Sequence, residues 1–207
     1  MRNINKIYLH WTAAPGKWLE RGHYHTVIWD DCSVHRLHDI SDASPAHTYH
    51  RNSDSIGIGV NCMAGGNWDL HGPTDKQITT MCDEVVKLVR ALGWFTLEVV
   101  KSLNRDALAN RLANKVMTHA EAAALRDFPL ATALQVSSAS GLGVKARIVR
   151  AEKMGLPHDN YGPTGWADGW PDGTYEKWDF FMLKKNNKPG SGGHDIRIRI
   201  LDKLLNG

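Results

Sequence analysis

Short apolar segments in the first third of the chain predict β-strands. They are Ile7–Trp11, Tyr24–Trp29, Val34–Leu37 and Ser55–Cys62. The turn-like stretch between the second and third segments indicates a hairpin. In the fourth segment, isoleucine and valine alternate with small residues, two of which are glycines. We therefore expect that strand to be packed closely by other groups on its glycine face.

Helical periodicity is strongest after residue 74. Thr74–Gln77 forms a capping box, apolar residues follow at helical spacing, and Gly93 is a stop signal. Weaker patterns predict further elements: a helix over about Asp106–Ala113, a short strand at Val116–His119, an Ala-rich helical turn through Leu125 and a C-terminal helix over Asp195–Leu205. The C-terminal helix places its apolar residues on one face, namely Ile196, Ile200, Leu201, Leu204 and Leu205.

The order of elements is strands, helix, strand, helix. This order predicts an α/β fold with a central mixed β-sheet flanked by helices. The 207 residues, 42% of them hydrophobic, are enough for a real core, so we expect a single domain over residues 1–207. Residues 161–174 are rich in Gly, Pro, Asp and Trp, which indicates an ordered loop.

Composition excludes several functional classes. A net charge of +3, from 25 basic and 22 acidic residues, is too weak to indicate a nucleic-acid partner, although it suits a polyanionic surface. The chain has no apolar run of about eighteen residues, so we expect no membrane insertion. The first residues contain no signal-peptide core, which predicts synthesis in the cytoplasm. Three widely spaced cysteines form no C-x-x-C pair, so neither a disulfide framework nor a cysteine zinc site is expected.

Histidine, tyrosine, lysine and carboxylate side chains recur in five short motifs that carry the candidate chemistry. In chain order these are Tyr8-Leu9-His10-Trp11-Thr12, His23-Tyr24-His25-Thr26-Val27-Ile28, the segment Ala46–Ile58 with its Ala46-His47 start and Ser55-Ile56-Gly57-Ile58 end, Thr118-His119-Ala120-Glu121, and Lys177-Trp178-Asp179. A catalytic zinc site needs three protein ligands and an open fourth position for water. One histidine near a strand end is weak evidence for a metal, so the interpretation rests on the whole set.

In their order and their residues, these motifs resemble the type 2 N-acetylmuramoyl-L-alanine amidases, a zinc amidase group that includes many phage endolysins and is related to the peptidoglycan recognition proteins. The resemblance covers most of the chain. It implies a zinc amidase fold, with residues 129–173 as an insertion before the third metal ligand, and a Zn²⁺ cofactor bound by His10, His119 and Asp179. The implied reaction is hydrolysis of the amide bond between N-acetylmuramic acid and L-alanine in bacterial peptidoglycan.

The resemblance also assigns roles to four other residues. Lys177, as a fixed cation, would stabilise the tetrahedral oxyanion of amide hydrolysis; its alternative is a solvated surface charge. Tyr24 would hold the attacking water or stabilise the intermediate; its alternative is a half-buried strand tyrosine. His47 and Asn52 would line the groove as substrate contacts.

The third metal ligand has two candidates. Compact members of the family place this ligand soon after the second histidine, a distance that fits Asp127. Asp179 is preferred because Lys177 stands two residues earlier, and residues i and i+2 of an extended strand face the same side. The corresponding position, two residues before Asp127, is Leu125, whose side chain has no polar or charged group.

Several further residues have a structural as well as a functional interpretation. Glu121 could orient His119 or a bound water, or it could be a carboxylate favoured at the N-terminus of a helix. Three tryptophans could stack on sugar or form a small loop core: Trp166, Trp170 and Trp178. Four histidines are interpreted as structural or surface residues: His25, His35, His38 and His50.

Two functions remain open from the sequence. The first is a phage endolysin that acts as a monomer, with peptidoglycan as its partner; without a signal peptide, it would reach the wall through a holin. The alternative is a non-catalytic peptidoglycan-binding module on the same fold, against which Lys177 and Asp179 argue. A histidine-rich metal nuclease would need a compact ββα-metal motif and a basic face, and the sequence has neither.

Overall fold

The computed structural model describes residues 2–12, 22–48, 52–62, 72–118, 121, 180, 183–184 and 191–207. Within these residues the strands are β1 (Lys6–Trp11), β2 (Thr26–Ile28), β3 (Val34–Arg36), β4 (Ser55–Val60) and β5 (Val116–Thr118). The helices are α1 (Asp75–Ala91), α2 (Leu97–Ser102), α3 (Arg105–Ala113) and α4 (Gly192–Asn206). The expected insertion over residues 129–173 lies outside the described residues.

The five strands form one mixed sheet in the order β3-β2-β4-β1-β5. β1 is parallel to β4 and to β5, and β2 is parallel to β4, whereas β2 and β3 are antiparallel. The antiparallel pair is the predicted hairpin: Val27 pairs with His35, and Cys32 in the turn has the left-handed φ of 71°. The predicted α/β class with a mixed sheet is therefore confirmed.

The main hydrophobic core lies between one face of the sheet and the helices. Ile7, Leu9 and Trp11 of β1 face it, because alternate residues of a strand point to the same side. Buried side chains of the other strands and of the helices join them: Ile28, Ile56, Ile58, Val60, Val116, Ile78, Met81, Val85, Val89, Leu108, Leu112, Ile196, Ile200, Leu201 and Leu204. In the described part of the chain, the helices that reach this core cover one face of the sheet.

Helix α1 begins at a capping box and ends shortly before a glycine, as predicted. The Thr74 hydroxyl accepts a hydrogen bond from Gln77 N at 3.1 Å, and the Gln77 side chain accepts one from Thr74 N at 2.9 Å. Gly93 has φ +70°, which side-chain-bearing residues rarely adopt. The sequence signals at both ends of this helix are therefore confirmed.

Two helices differ from the sequence expectation. Periodicity does not predict α2, because none of its residues is buried; the Thr96 hydroxyl marks its start by accepting a hydrogen bond from Val99 N. Helix α4 begins earlier than predicted, at Gly192. The helical spacing predicts Leu205 on the apolar face of this helix, but its side chain is 39% exposed and does not join the core. The buried stripe of α4 is narrower than the helical spacing of its apolar residues suggests.

Two expectations from composition concern cysteines and membranes. Cys32, Cys62 and Cys82 are all free, in agreement with the prediction of no disulfide framework. Burial raises the pKa of the Cys82 thiol to about 12, so this side chain stays protonated and packs as a small apolar group.

Among the described helices, none is both long enough and apolar enough to cross a membrane.

A largely buried carboxylate joins α1 to the hairpin. Glu84 is 2% exposed and accepts hydrogen bonds from Arg36 Nε at 2.8 Å and from Arg36 Nη2 at 2.7 Å. Both carboxylate oxygens thereby have a donor, which a buried carboxylate requires. This bidentate pair fixes β3 against α1.

The opposite face of the sheet is built around the glycines of β4. A Cβ atom added at Gly57 would overlap the ring of His47, and one added at Gly59 would lie 3.1 Å from the ring of Tyr24. His10 of β1 pairs with Gly59 in the parallel register. The predicted close packing on the glycine face is confirmed, and aromatic side chains provide it.

We expect Gly57→Ala to destabilise the protein more than Gly59→Ala does. The methyl group at position 57 overlaps an imidazole, and overpacking of this kind costs about 1–3 kcal/mol. Position 59 requires a shift of only a few tenths of an ångström, and alanine lowers the backbone entropy of the unfolded chain. Urea unfolding of both variants measures the difference. Equal unfolding free energies for the two variants would contradict the packing described for His47.

Candidate functional site

The candidate site lies where β1 ends on the glycine face. His10 is 1% exposed and points away from the core, because its neighbours Leu9 and Trp11 face the helices. The centroid of its imidazole lies 5.2 Å from the ring centroid of Tyr24 and 5.4 Å from that of His47. The structure thus brings three of the predicted site residues together.

A chain of hydrogen bonds runs from His10 into the protein. The Thr48 hydroxyl lies 3.3 Å from His10 Nε2 and 3.0 Å from His47 Nδ1, and His47 Nε2 lies 3.4 Å from the Ser55 hydroxyl. All four residues are buried. A buried polar group without a partner loses solvation energy, so these contacts make the burial of the two imidazoles tolerable.

Tyr24 reaches the site from the segment that precedes β2. Its ring covers Gly59, and its hydroxyl donates a hydrogen bond to the carbonyl oxygen of Trp11 at 3.1 Å. The residue is half-buried, as expected, but it lies before β2 and not within a strand, because β2 begins at Thr26. A phenol that donates to a carbonyl can still accept a hydrogen bond from a water molecule through its oxygen lone pairs.

The two expected substrate contacts, His47 and Asn52, make hydrogen bonds within the protein next to His10. His47 uses both ring nitrogens within the buried hydrogen-bond chain. The Asn52 side chain accepts a hydrogen bond from Thr48 N at 2.8 Å, and its backbone carbonyl accepts one from Arg2 at 3.0 Å. In these contacts both residues hold the loop that carries Thr48. Their contact with substrate remains a prediction.

His25 is a structural residue, as predicted. It is fully buried: Nδ1 accepts a hydrogen bond from Gly57 N at 3.1 Å, and Nε2 lies 2.9 Å from the carbonyl oxygen of Asp42. Because Nδ1 accepts from Gly57 N, the neutral ring carries its proton on Nε2 and can donate it to the Asp42 carbonyl; Arg2 Nη2 also lies 3.0 Å from Nε2. Burial lowers the pKa of His25, and the nearby Arg2 guanidinium acts in the same direction. The neutral ring therefore crosslinks β4 to the loop after β3.

Glu121 caps the chain directly after β5. Its carboxylate accepts a hydrogen bond from Thr118 N at 3.0 Å, and the Thr118 hydroxyl accepts one from Glu121 N at 3.1 Å, as in a capping box. Arg197 of α4 adds a bidentate ion pair at 2.7 Å and 2.8 Å. Gly193 leaves room for the carboxylate, because a Cβ atom there would overlap it. These contacts support the interpretation of Glu121 as an N-terminal helix carboxylate.

The remaining predicted site residues lie outside the described part of the chain: His119, Lys177, Asp179 and the rival ligand Asp127. Within the described ranges, no group of three or more His, Cys, Asp or Glu side chains could hold a metal ion. Of the three predicted ligands, His10 is the one whose surroundings the structure describes.

Thr48 and Ser55 belong to the site, although the sequence motif that contains them assigns them no role. Thr48 directly follows His47, and Ser55 occupies the small-residue side of β4. The sequence offers one signal for Thr48, a hydroxyl residue directly after a histidine, but His-Thr and His-Ser pairs are too common to predict a site. Only the packing on the glycine face shows that this hydroxyl also reaches His10.

Comparisons of the chain with protein-family models, with curated proteins and with solved structures find no significant match. The interpretation of the site therefore rests on its sequence motifs and its own geometry.

Proposed function

We propose that the protein is a zinc-dependent N-acetylmuramoyl-L-alanine amidase of the zinc amidase and peptidoglycan recognition protein-like fold, acting on bacterial peptidoglycan as a monomeric phage endolysin. The observation that carries the proposal is the buried His10 beside Tyr24 at the carboxyl end of β1. In α/β sheets, ligands commonly bind outside the carboxyl ends of parallel strands.

The register of the sheet supports His119 as a second ligand. β5 is parallel to β1, and Thr118 stands beside Leu9. His10 and His119 are the residues that directly follow this pair in sequence.

The described surroundings of His10 fit those of a zinc ligand. Its ring is buried, and Nε2 contacts the Thr48 hydroxyl. Histidines that bind metals commonly have such a partner on the second nitrogen. His119 and Asp179 would complete a set of imidazole and carboxylate ligands that zinc accepts. When bound, zinc would supply a nucleophilic water near neutral pH and polarise the amide carbonyl.

Two further side chains would act on the water and on the substrate. Tyr24 would accept a hydrogen bond from the attacking water, because its own proton is directed at the carbonyl oxygen of Trp11. Lys177 would stabilise the negative charge that develops on the carbonyl oxygen as the tetrahedral intermediate forms. The net charge of +3 suits a protein that works on a polyanionic wall.

We expect one zinc ion per chain. His10→Ala, His119→Ala and Asp179→Ala should each abolish zinc binding, because each removes one of three ligands. Elemental analysis of the purified proteins measures this. Asp127→Ala is the matched control and should keep its zinc. Loss of zinc in Asp127→Ala, with zinc retained in Asp179→Ala, would identify Asp127 as the third ligand instead.

Digestion of purified peptidoglycan should release stem peptides that begin with L-alanine. Amide hydrolysis creates new amino termini, whereas a glycosidase creates reducing sugar ends. Mass spectrometry with amine labelling distinguishes the two products, and His10→Ala serves as the inactive control. Reducing ends without new amino termini would refute the amidase. Binding to the wall without any cleavage would favour the non-catalytic module.

Tyr24→Phe should lower kcat about 10²-fold and leave zinc binding intact, because it removes a group that acts on the attacking water. The phenylalanine ring can still cover Gly59, and loss of the hydrogen bond to the Trp11 carbonyl should cost about 1 kcal/mol of stability. Kinetics on a soluble muropeptide, with zinc content and unfolding measured on the same preparation, tests this. A rate near that of the native protein would leave Tyr24 with a structural role alone, in the segment before β2.

A further inference from the structure

We propose that Thr48 is the positioning residue of His10 and that its hydroxyl links the proton on His10 to the tautomer of His47. The inference rests on the proposed function, because it treats His10 as a metal ligand. It gives Thr48, His47 and Ser55 a role that differs from substrate contact: they hold the ring of His10 in place and link its tautomer to that of His47.

The geometry consists of three consecutive contacts between buried groups. Thr48 Oγ1 contacts His10 Nε2 at 3.3 Å and His47 Nδ1 at 3.0 Å, and His47 Nε2 contacts Ser55 Oγ at 3.4 Å. Thr48 is 1% exposed and Ser55 is 0% exposed, so solvent does not compete for these partners. Thr48 is itself held in place, because its backbone N–H donates to the Asn52 side chain at 2.8 Å.

When a hydroxyl between two imidazoles donates its one proton to either ring, the protons can be ordered in two ways. In the first, His10 Nε2–H donates to Thr48, Thr48 donates to His47 Nδ1, and His47 carries its proton on Nε2, facing Ser55. In the second, His47 Nδ1–H donates to Thr48, and Thr48 donates to His10 Nε2. Because the hydroxyl has one proton to donate, the tautomers of the two rings are linked.

A metal ion bound by His10 would favour the first arrangement. A neutral imidazole that binds a metal through one nitrogen carries its proton on the other. Since Nε2 of His10 faces Thr48, coordination through Nδ1 would make Nε2–H a donor to the hydroxyl. The hydroxyl proton would then point at His47, and the His47 proton at Ser55. The same donation holds the plane of the His10 ring, which is how an outer hydrogen-bond partner raises metal affinity.

The test compares Thr48→Val, which removes the hydroxyl, with Thr48→Ser, which keeps it. Competition with a chromogenic chelator measures zinc affinity, and nitrogen NMR of the imidazoles reports the tautomers with and without zinc. In the native protein and in Thr48→Ser, zinc should place the His47 proton on Nε2. In Thr48→Val, zinc affinity should fall about 10–100-fold, and the His47 tautomer should no longer respond to zinc.

Two results would overturn the inference and leave the amidase proposal intact: native zinc affinity in Thr48→Val, or a His47 tautomer that does not respond to zinc in the native protein. Absence of zinc binding by the native protein would instead overturn the proposed function, and the inference with it. Should Thr48→Val fail to fold by circular dichroism, Thr48→Ala removes the same hydroxyl without the second methyl group, and the same loss of zinc affinity is expected.

Discussion

The close approach of the His47 imidazole to the backbone at Gly57 is the contact on which the rest of the site depends. A strand normally presents a side chain to each face at every second position, and that layer keeps other groups away from the backbone. The glycines of β4 remove this layer, so the loop that carries His47 and Thr48 lies directly on the sheet. In this position the Thr48 hydroxyl lies 3.3 Å from Nε2 of His10 on the neighbouring strand.

Three imidazoles are buried on one face of the sheet, and their ring nitrogens need hydrogen-bond partners that apolar side chains cannot provide. A buried nitrogen without a partner costs about 1–3 kcal/mol, as much as the burial of an aliphatic side chain contributes. His25 contacts two backbone groups, Gly57 N and the Asp42 carbonyl, and the Arg2 guanidinium, whereas His10 and His47 contact hydroxyl groups. Backbone partners fix one tautomer permanently. A hydroxyl can donate to either ring while it accepts from the other. The two rings that it joins therefore keep a choice of tautomer.

Local signals decide how much could be predicted from the sequence. The capping box at Thr74 and the stop at Gly93 act within one helical turn, so α1 follows from the sequence alone. The alternation of glycines in β4 likewise shows that something packs on that strand. What packs there depends on residues far apart in the chain, such as Thr48 and His10, and no pattern along the sequence encodes a contact of 3.3 Å. Helix α2 buries no residue, so periodicity carries no signal for it.

The ends of β1 and β5 are held by different physical means. His10 is held by the Thr48 hydroxyl, which reaches its ring because the glycines of β4 have no side chains on that face. His119 follows a strand whose end is fixed by charge: Glu121 caps Thr118 and pairs with Arg197 of α4 in a partly buried, bidentate arrangement. Such pairs constrain direction as well as distance. A metal site tolerates errors of about 0.5 Å in its ligands. The glycine face therefore constrains the end of β1, and the ion pair constrains the end of β5. The proposed metal site would depend on both.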